Sequence, residues 1–169
     1  MNLTIRQAQP IDAADIVAYL NVVTNEPGIN LLISPGEFKR TVLEEQTIIS
    51  EFAAAANSLF LIAEDEGKIV GVLTCRGGDR RANAHSTTLG ITVAREYRGC
   101  GVGTVLMQHA IDWAEGSGCI RRMDLYVFSG NQTAIHLYEK FGFVTEGCLR
   151  RAVYRDGEFQ DDLLMARLF

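Results

Sequence analysis

The chain has 169 residues, 47% of them hydrophobic and 22% charged, the balance of an ordinary globular domain. That length predicts one domain over 1–169 with a normal core, and it excludes disordered, collagen-like and low-complexity chains. A net charge of −5 argues against nucleic acid as a partner, since general binding needs a basic face.

Leu3 to Ala8 alternates apolar and polar residues and reads as a first strand. Asp12 is then expected to cap a helix carrying Ile16, Val17, Leu20 and Val23 on one side. Thr24 to Ile33, with Pro27 and Gly28, reads as a loop. Ser34-Pro35-Gly36-Glu37 has the form of a capping box with Pro at the first helical position, so a second helix is predicted from there to about Ala56. Strands follow at Leu59–Ala63 and Ile69–Cys75, joined through Asp65-Glu66-Gly67-Lys68 as a hairpin. After a polar loop, a fourth strand covers about His85 to Val93. Gly101 to Glu115 reads as a helix burying Leu106, Ala110 and Trp113, and Met123 to Phe128 as a fifth strand. Thr133 to Phe141 is a short helix stopped by Gly142. The end is a hairpin, Val144–Tyr154 and Phe159–Leu168, turned by Asp156-Gly157. The order β α α β β β α β α β β gives an α+β or mixed α/β class and not a regular βαβα winding.

Cys75, Cys100, Cys119 and Cys148 share no CxxC spacing, and the three histidines are scattered, so no metal site is expected. The opening MNLTIRQAQP has no apolar h-region, and no apolar run approaches the roughly 20 residues of a membrane span. The expectation is a cytoplasmic protein with free thiols and no membrane partner. The doublets Arg80-Arg81, Arg121-Arg122 and Arg150-Arg151 read as solvated surface.

Chemistry concentrates in Ile91-Thr92-Val93-Ala94-Arg95-Glu96-Tyr97-Arg98-Gly99-Cys100-Gly101-Val102-Gly103-Thr104, where a strand ends, glycines turn the chain and a helix begins. The first amides of a helix lack intrahelical acceptors, and the helix dipole adds positive potential there. Glycines let an anion approach, so this is a phosphate or pyrophosphate site. A Rossmann GxGxxG fails, because Thr104 or Leu106 stands where the third glycine belongs, and no Gly-Lys-Ser/Thr of a P-loop occurs.

Arg98-x-x-Gly101-x-Gly103 after a Val-rich strand resembles the acetyl-CoA signature of the GNAT acetyltransferases, Arg/Gln-x-x-Gly-x-Gly/Ala. Asn131-Gln-Thr-Ala134-Ile-His-Leu137-Tyr138-Glu-Lys-Phe141-Gly142-Phe143 resembles the family's Asn-x-x-Ala-x-x-Leu-Tyr-x-x-x-Gly-Phe. The predicted element order fits the family fold along essentially the whole chain. The resemblance implies a mostly antiparallel seven-stranded sheet splayed between its fourth and fifth strands and flanked by about four helices. It implies acetyl-CoA as cosubstrate, with backbone groups of Ile91, Thr92 and Val93 on the pantetheine arm. The pyrophosphate is then expected on the amides of Arg98, Gly99, Cys100, Gly101, Val102, Gly103 and Thr104. Asn131 would contact the pantetheine arm or cap its helix, and Tyr138 would be the general acid. A phenol, protonated at pH 7, can protonate a departing thiolate of pKa about 8.5. Cys100 sits in the phosphate loop without a placed base and is not expected to be a nucleophile.

The implied reaction is direct attack of a primary amine on the thioester, which needs a base because an alkyl ammonium has a pKa near 10. Relatives place a Glu on the fourth strand; the matching position here is read as Thr87, which cannot serve. His85, expected to share its strand face, and Glu26, in the loop between the first two helices, are the candidates, with a water chain as the third route. His109 and His136, on helices, are expected to be structural or exposed. The segment from Gly142 through Glu146, Arg150, Tyr154 and Asp161 to Met165 resembles a branch holding ribosomal-protein N-terminal acetyltransferases of the RimJ/RimL type and small-molecule enzymes. Arg150, Arg151 and Tyr154 are candidate cleft residues, an Arg suiting an acceptor carboxylate. The acceptor is a small-molecule amine or amino acid, or a peptide N-terminus, and the resemblance implies a homodimer.

Overall fold

A computed structural model describes residues 2–169. Strand β1 (Leu3–Gln7) leads through a 3-10 turn (Pro10–Asp12) into helix α1 (Ala13–Val23), and α2 (Val42–Ala54) follows a long loop. Then come β2 (Leu59–Asp65), β3 (Lys68–Gly77), β4 (Ser86–Val93), a second 3-10 turn (Arg95–Tyr97), α3 (Val102–Gly116) and β5 (Arg122–Phe128). The chain ends with α4 (Gln132–Lys140), β6 (Val144–Arg155) and β7 (Glu158–Leu168). The strands form one seven-stranded sheet in the order β1-β2-β3-β4-β5-β7-β6. Every neighbouring pair is antiparallel except β4 with β5, which run parallel. This is the mixed α+β architecture, with one seven-stranded, mostly antiparallel sheet, that the resemblance implies.

Both tight hairpins have two left-handed residues at the turn, Glu66 (φ 51°) with Gly67 (φ 82°) and Asp156 (φ 53°) with Gly157 (φ 84°). Those signs match the twist of paired strands. Two local expectations are corrected. Ser34 N–H does donate to Glu37 Oε2 at 2.7 Å, but Gly36 lies at φ 82°, which no α-helix continues, so no helix starts at Ser34. The working box is Thr41 with Glu44, and α2 begins at Val42. Asp12 does not cap α1 with its side chain. It accepts from Gln9 N–H at 2.7 Å and takes both terminal nitrogens of Arg6 at 2.8 Å, closing the preceding 3-10 turn onto β1.

Strand alternation sends side chains to two faces. Leu61, Leu73, Leu89, Met123, Leu125 and Met165 pack under α3 and α4 with Leu106 and Met107; Trp113 is only partly buried there. Ile16, Tyr19, Ile49 and Phe52 pack on Phe60, Ile62 and Val72 on the other face. Each such buried side chain is worth about 1.5–3 kcal/mol. Gly71 lets β3 approach α3: a Cβ there would stand 3.0 Å from Leu106 Cδ1. The α1–α2 face is left open over β5 and β6, where Tyr126 is 52% and Leu149 44% exposed. No helix among the described residues is long and apolar enough to cross a membrane, and all four cysteines are free.

Candidate functional site

The parallel pairing of β4 with β5 is short, from Ser86↔Arg122 to Thr88↔Asp124. Beyond Thr88 the two strands part and leave a fork. Ala94 N–H bonds Val70 O on β3 at 2.9 Å. Alternation along that antiparallel ladder turns the backbone groups of Thr92 and Gly90 to β3 and those of Leu89, Ile91 and Val93 into the fork. Of the three strand residues expected on the cosubstrate, Ile91 and Val93 therefore present fork-facing backbone. Thr92 instead lends its hydroxyl oxygen to Tyr19 O–H, at 3.1 Å.

Past the fork, Gly99 (φ 74°) and Gly101 (φ 88°) turn the chain into α3, with Gly101 as its N-cap. Arg98 and Cys100 amides donate back to Arg95 and Tyr97 carbonyls. Among the described residues the amides of Gly99, Gly101, Val102, Gly103 and Thr104 have no backbone acceptor. No acidic side chain occupies the first turn of α3, so its positive end is uncompensated and open to an anion. Arg98 is exposed but tethered: Nε donates to Val93 O at 2.9 Å, and Nη2 is paired with Glu26. Cys100 is exposed, and its thiol leans on Arg98 O at 3.6 Å.

Helix α4 forms the far wall. Asn131 is its N-cap, accepting from Ala134 N–H at 3.3 Å. Two turns on, Tyr138 is buried, with its ring 6.0 Å from that of Phe143. Burial alone pushes the phenol up to about 12, because ionisation there would be poorly solvated. The group is therefore a neutral O–H donor across the physiological range.

The opposite side of the fork is lined by distant segments. Glu26, whose side chain is 10% exposed, takes Arg98 and also Arg95 N–H at 3.2 Å. It bridges the loop after α1 to the glycine loop, with its carboxylate already occupied. His85 precedes β4 and is exposed, at the paired end of the strands and not in the fork. Thr87 points to the α3 side, buried, with an unpartnered hydroxyl. The next residue, Thr88, faces the opposite, α1 side of the sheet and donates to Asp124 Oδ1 at 2.8 Å. Asp124 also accepts from Arg122 Nε at 3.2 Å, while Arg122 Nη1 and Nη2 hold Glu146 at 3.0 and 2.7 Å.

Two register shifts bend β6, one between Leu149 and Val153, where Arg151 has φ 55°. There Arg150, Arg151 and Tyr154 are exposed, and the Arg151 guanidinium lies over the Phe159 ring at 5.6 Å. Arg155 reaches across to the α1–α2 loop, donating to Ile29 O and, at 2.8 Å, to Ile33 O. Tyr19, Thr88, Asp124 and Arg155 carry no motif; only the alternation Thr88-Gly90-Thr92 marks their face. His109 and His136 lie exposed on helices. No cluster of His, Cys, Asp or Glu among the described residues is arranged to hold a metal ion.

Comparison with known proteins follows this geometry. Residues 29–143 match the family model described as "Acetyltransferase (GNAT) family". The L-amino acid N-acetyltransferase AaaT of Escherichia coli is 34% identical over 108 residues, 64% of this chain and 67% of its own. An N-alpha-acetyltransferase of Sulfurisphaera tokodaii is 31% identical over 146 residues, 82% of each. The crystal structure of an acetyltransferase of GNAT family from Streptococcus pneumoniae superposes with a TM-score of 0.94 at 35% identity, covering 99% of both chains. These relatives differ in acceptor and do not single out a RimJ/RimL-like branch.

Proposed function

The chain belongs to the GNAT acetyltransferase family and is an acyltransferase, and on that premise we propose that it moves the acetyl group of acetyl-CoA to a primary amine of a small molecule or amino acid by direct attack. The observation that carries this reading is the fork itself. Free amides of Gly99, Gly101, Val102, Gly103 and Thr104 stand at one end, backbone of Leu89, Ile91 and Val93 faces the opening, and the buried Tyr138 phenol lies on the α3–α4 side.

The pyrophosphate sits on the α3 amides, where charge and geometry suit it. The pantetheine arm runs along β4 past Asn131, extending the sheet's broken pairing. The thioester carbonyl then meets a fork-facing amide of β4, which stabilises the oxygen as charge builds on it. The amine nitrogen attacks the carbonyl carbon, the carbon–sulfur bond breaks, and the electron pair leaves on sulfur. Tyr138 hands that sulfur a proton. No covalent enzyme intermediate forms. Holding both reactants in the fork supplies most of the rate. Glu26 fastens Arg98 and so shapes the donor loop; it is not needed as a base. The enzyme is expected to work as a homodimer, as the family resemblance implies.

A second acceptor, a protein N-terminus, is favoured by the likeness to the Sulfurisphaera tokodaii N-alpha-acetyltransferase, which spans 82% of each chain. Thiol release from acetyl-CoA separates the two, using a panel of amino acids, polyamines, aminoglycosides and short peptides. Turnover on free amino acids or amines is expected; turnover on peptides alone moves the assignment to the second acceptor. Tyr138→Phe is expected to lower kcat about 100-fold while acetyl-CoA still raises the melting temperature. Unchanged thiol release in that variant removes Tyr138 as the acid.

A further inference from the structure

The base that accepts the proton of the attacking amine has no occupant among the residues that the sequence pattern picks out. His85 stands before the paired end of the strands, Glu26 is tied to Arg95 and Arg98 at the glycine-loop end of the fork and not at its crotch, and Thr87 is buried on the α3 side. The crotch of the fork holds a carboxylate that no motif marks. Thr88↔Asp124 is the last β4–β5 pair before the strands part. Thr88, Gly90 and Thr92 share one face of β4 by strand alternation. The Thr92 bond to Tyr19 of α1 identifies that face as the one opposite α3 and α4.

Asp124 lies on the same face, since Thr88 O–H reaches its Oδ1 at 2.8 Å. Directly past the crotch stands Gly90, whose missing side chain leaves the approach open; a Cβ there would meet only Thr74 Oγ1, at 3.5 Å. The Asp124 side chain keeps 18% of its surface exposed. Two held bonds leave lone pairs for a third donor, because a carboxylate has about four acceptor sites. Tyr138 belongs to the core on the α3–α4 side, so acid and carboxylate flank the fork from opposite faces. That is the layout for an amine entering on one side while sulfur leaves on the other.

We propose that Asp124 is the general base of acetyl transfer, presented to the acceptor ammonium by Thr88 and held by Arg122. This rests on the acetyl-transfer reading. The ammonium N–H bonds Asp124 and gives it one proton, which frees the nitrogen lone pair. The nitrogen–carbon bond then forms, and the second proton that nitrogen sheds as the amide forms passes through water to restore the Tyr138 phenol after it has protonated sulfur. The thioester carbon–sulfur bond breaks, the sulfur takes its electron pair and a proton from Tyr138, and Asp124 later returns its proton to water. Thr88 and Arg122 are positioning residues.

The test is thiol release by wild type, Asp124→Asn and Thr88→Val, each on an alkyl amine and on the acyl hydrazide of the same skeleton, which is neutral at pH 7. Acetyl-CoA-induced thermal stabilisation reports donor binding. Asp124→Asn is expected to lose about 100- to 1000-fold in kcat on the alkyl amine, with donor stabilisation kept and a much smaller loss on the hydrazide, which needs no prior deprotonation. Thr88→Val is expected to lose about tenfold with the same preference. A kcat within about threefold of wild type in Asp124→Asn, or equal losses on both acceptors, overturns the proposal. If Asp124→Asn shows no folding transition, Thr88→Val decides: unchanged kcat, or no hydrazide preference, overturns it. Wild-type silence on both acceptors overturns the acetyl-transfer reading itself; wild-type turnover with an active Asp124→Asn overturns only the base.

Discussion

On the α3–α4 side of the fork, the working groups come from two unbroken stretches, Arg98 to Thr104 and Asn131 to Tyr138. On the other side, the contacts that tie the wall together join distant chain: Thr88 to Asp124 across 36 residues, Tyr19 to Thr92 across 73, and Arg155 to Ile29 across 126. In the proposed reading the donor side offers the phosphates backbone amides, which needs glycines at fixed spacing. The acceptor side works through side chains that meet only once the sheet has closed. A short motif can encode the first arrangement, while the second depends on the register of five strands and a loop. Glu26 joins the two sides through Arg98.

The largest expected effect on binding breaks the donor side alone. Gly101→Val and Gly67→Val each force a β-branched residue to a positive φ, 88° and 82°, at about 1–2 kcal/mol of stability. Only the first adds a side chain beside the free amides of α3. Titration calorimetry is expected to show acetyl-CoA binding weakened about 10- to 100-fold in Gly101→Val and unchanged in Gly67→Val. Equal binding in both variants would mean that the phosphates do not lie on this loop.

The same contrast explains what the sequence reveals. The Gly-rich turn, the Asn131–Tyr138 signature and both type I′ hairpins are local, and the folded chain has them where the pattern predicts. The failures are of two kinds. At Ser34 to Glu37 the capping bond forms, yet Gly36 takes a left-handed φ and the helix waits for Thr41 and Glu44; the local pattern cannot say which of two boxes the apolar face of α2 selects. At β4 one residue decides the face. Thr87 and Thr88 are adjacent, and a single step in a strand exchanges the two faces of the sheet. Thr88, not Thr87, therefore reaches the acceptor side, and its partner Asp124 becomes visible only once β5 is seen beside β4.

A smaller effect probes the acceptor side. Arg155 ties the bent end of β6 to the carbonyls of Ile29 and Ile33. Arg155→Met keeps much of the side-chain volume and removes both bonds, at a cost of about 1–3 kcal/mol for carbonyls losing a charged donor. Steady-state kinetics are expected to show the acceptor KM raised about tenfold, with acetyl-CoA affinity intact. An unchanged acceptor KM would mean that the strapped loop is no wall of the acceptor cleft.

The smallest expected effect concerns Asp162, which lies opposite Phe128 of β5 and Leu149 of β6 and is 5% exposed. Its Oδ1 is buried without a partner, and burial pushes its pKa above the ordinary carboxylate value. The fold thus favours the neutral acid. That contribution is fully present below the unfolded carboxyl's pKa and is lost as pH rises through the folded one. Asn copies the neutral form, so Asp162→Asn is expected to raise the melting temperature at pH 7 by about 2–4 °C, roughly 1 kcal/mol. The gain should fade below about pH 4, where the wild-type group is protonated in both states. A lower melting temperature at pH 7 would place an unseen cation against Oδ1. A stabilised variant that also binds cationic acceptors more weakly would make Asp162 a charge kept on the acceptor side at the expense of the fold, and would extend that side's long-range assembly into β7.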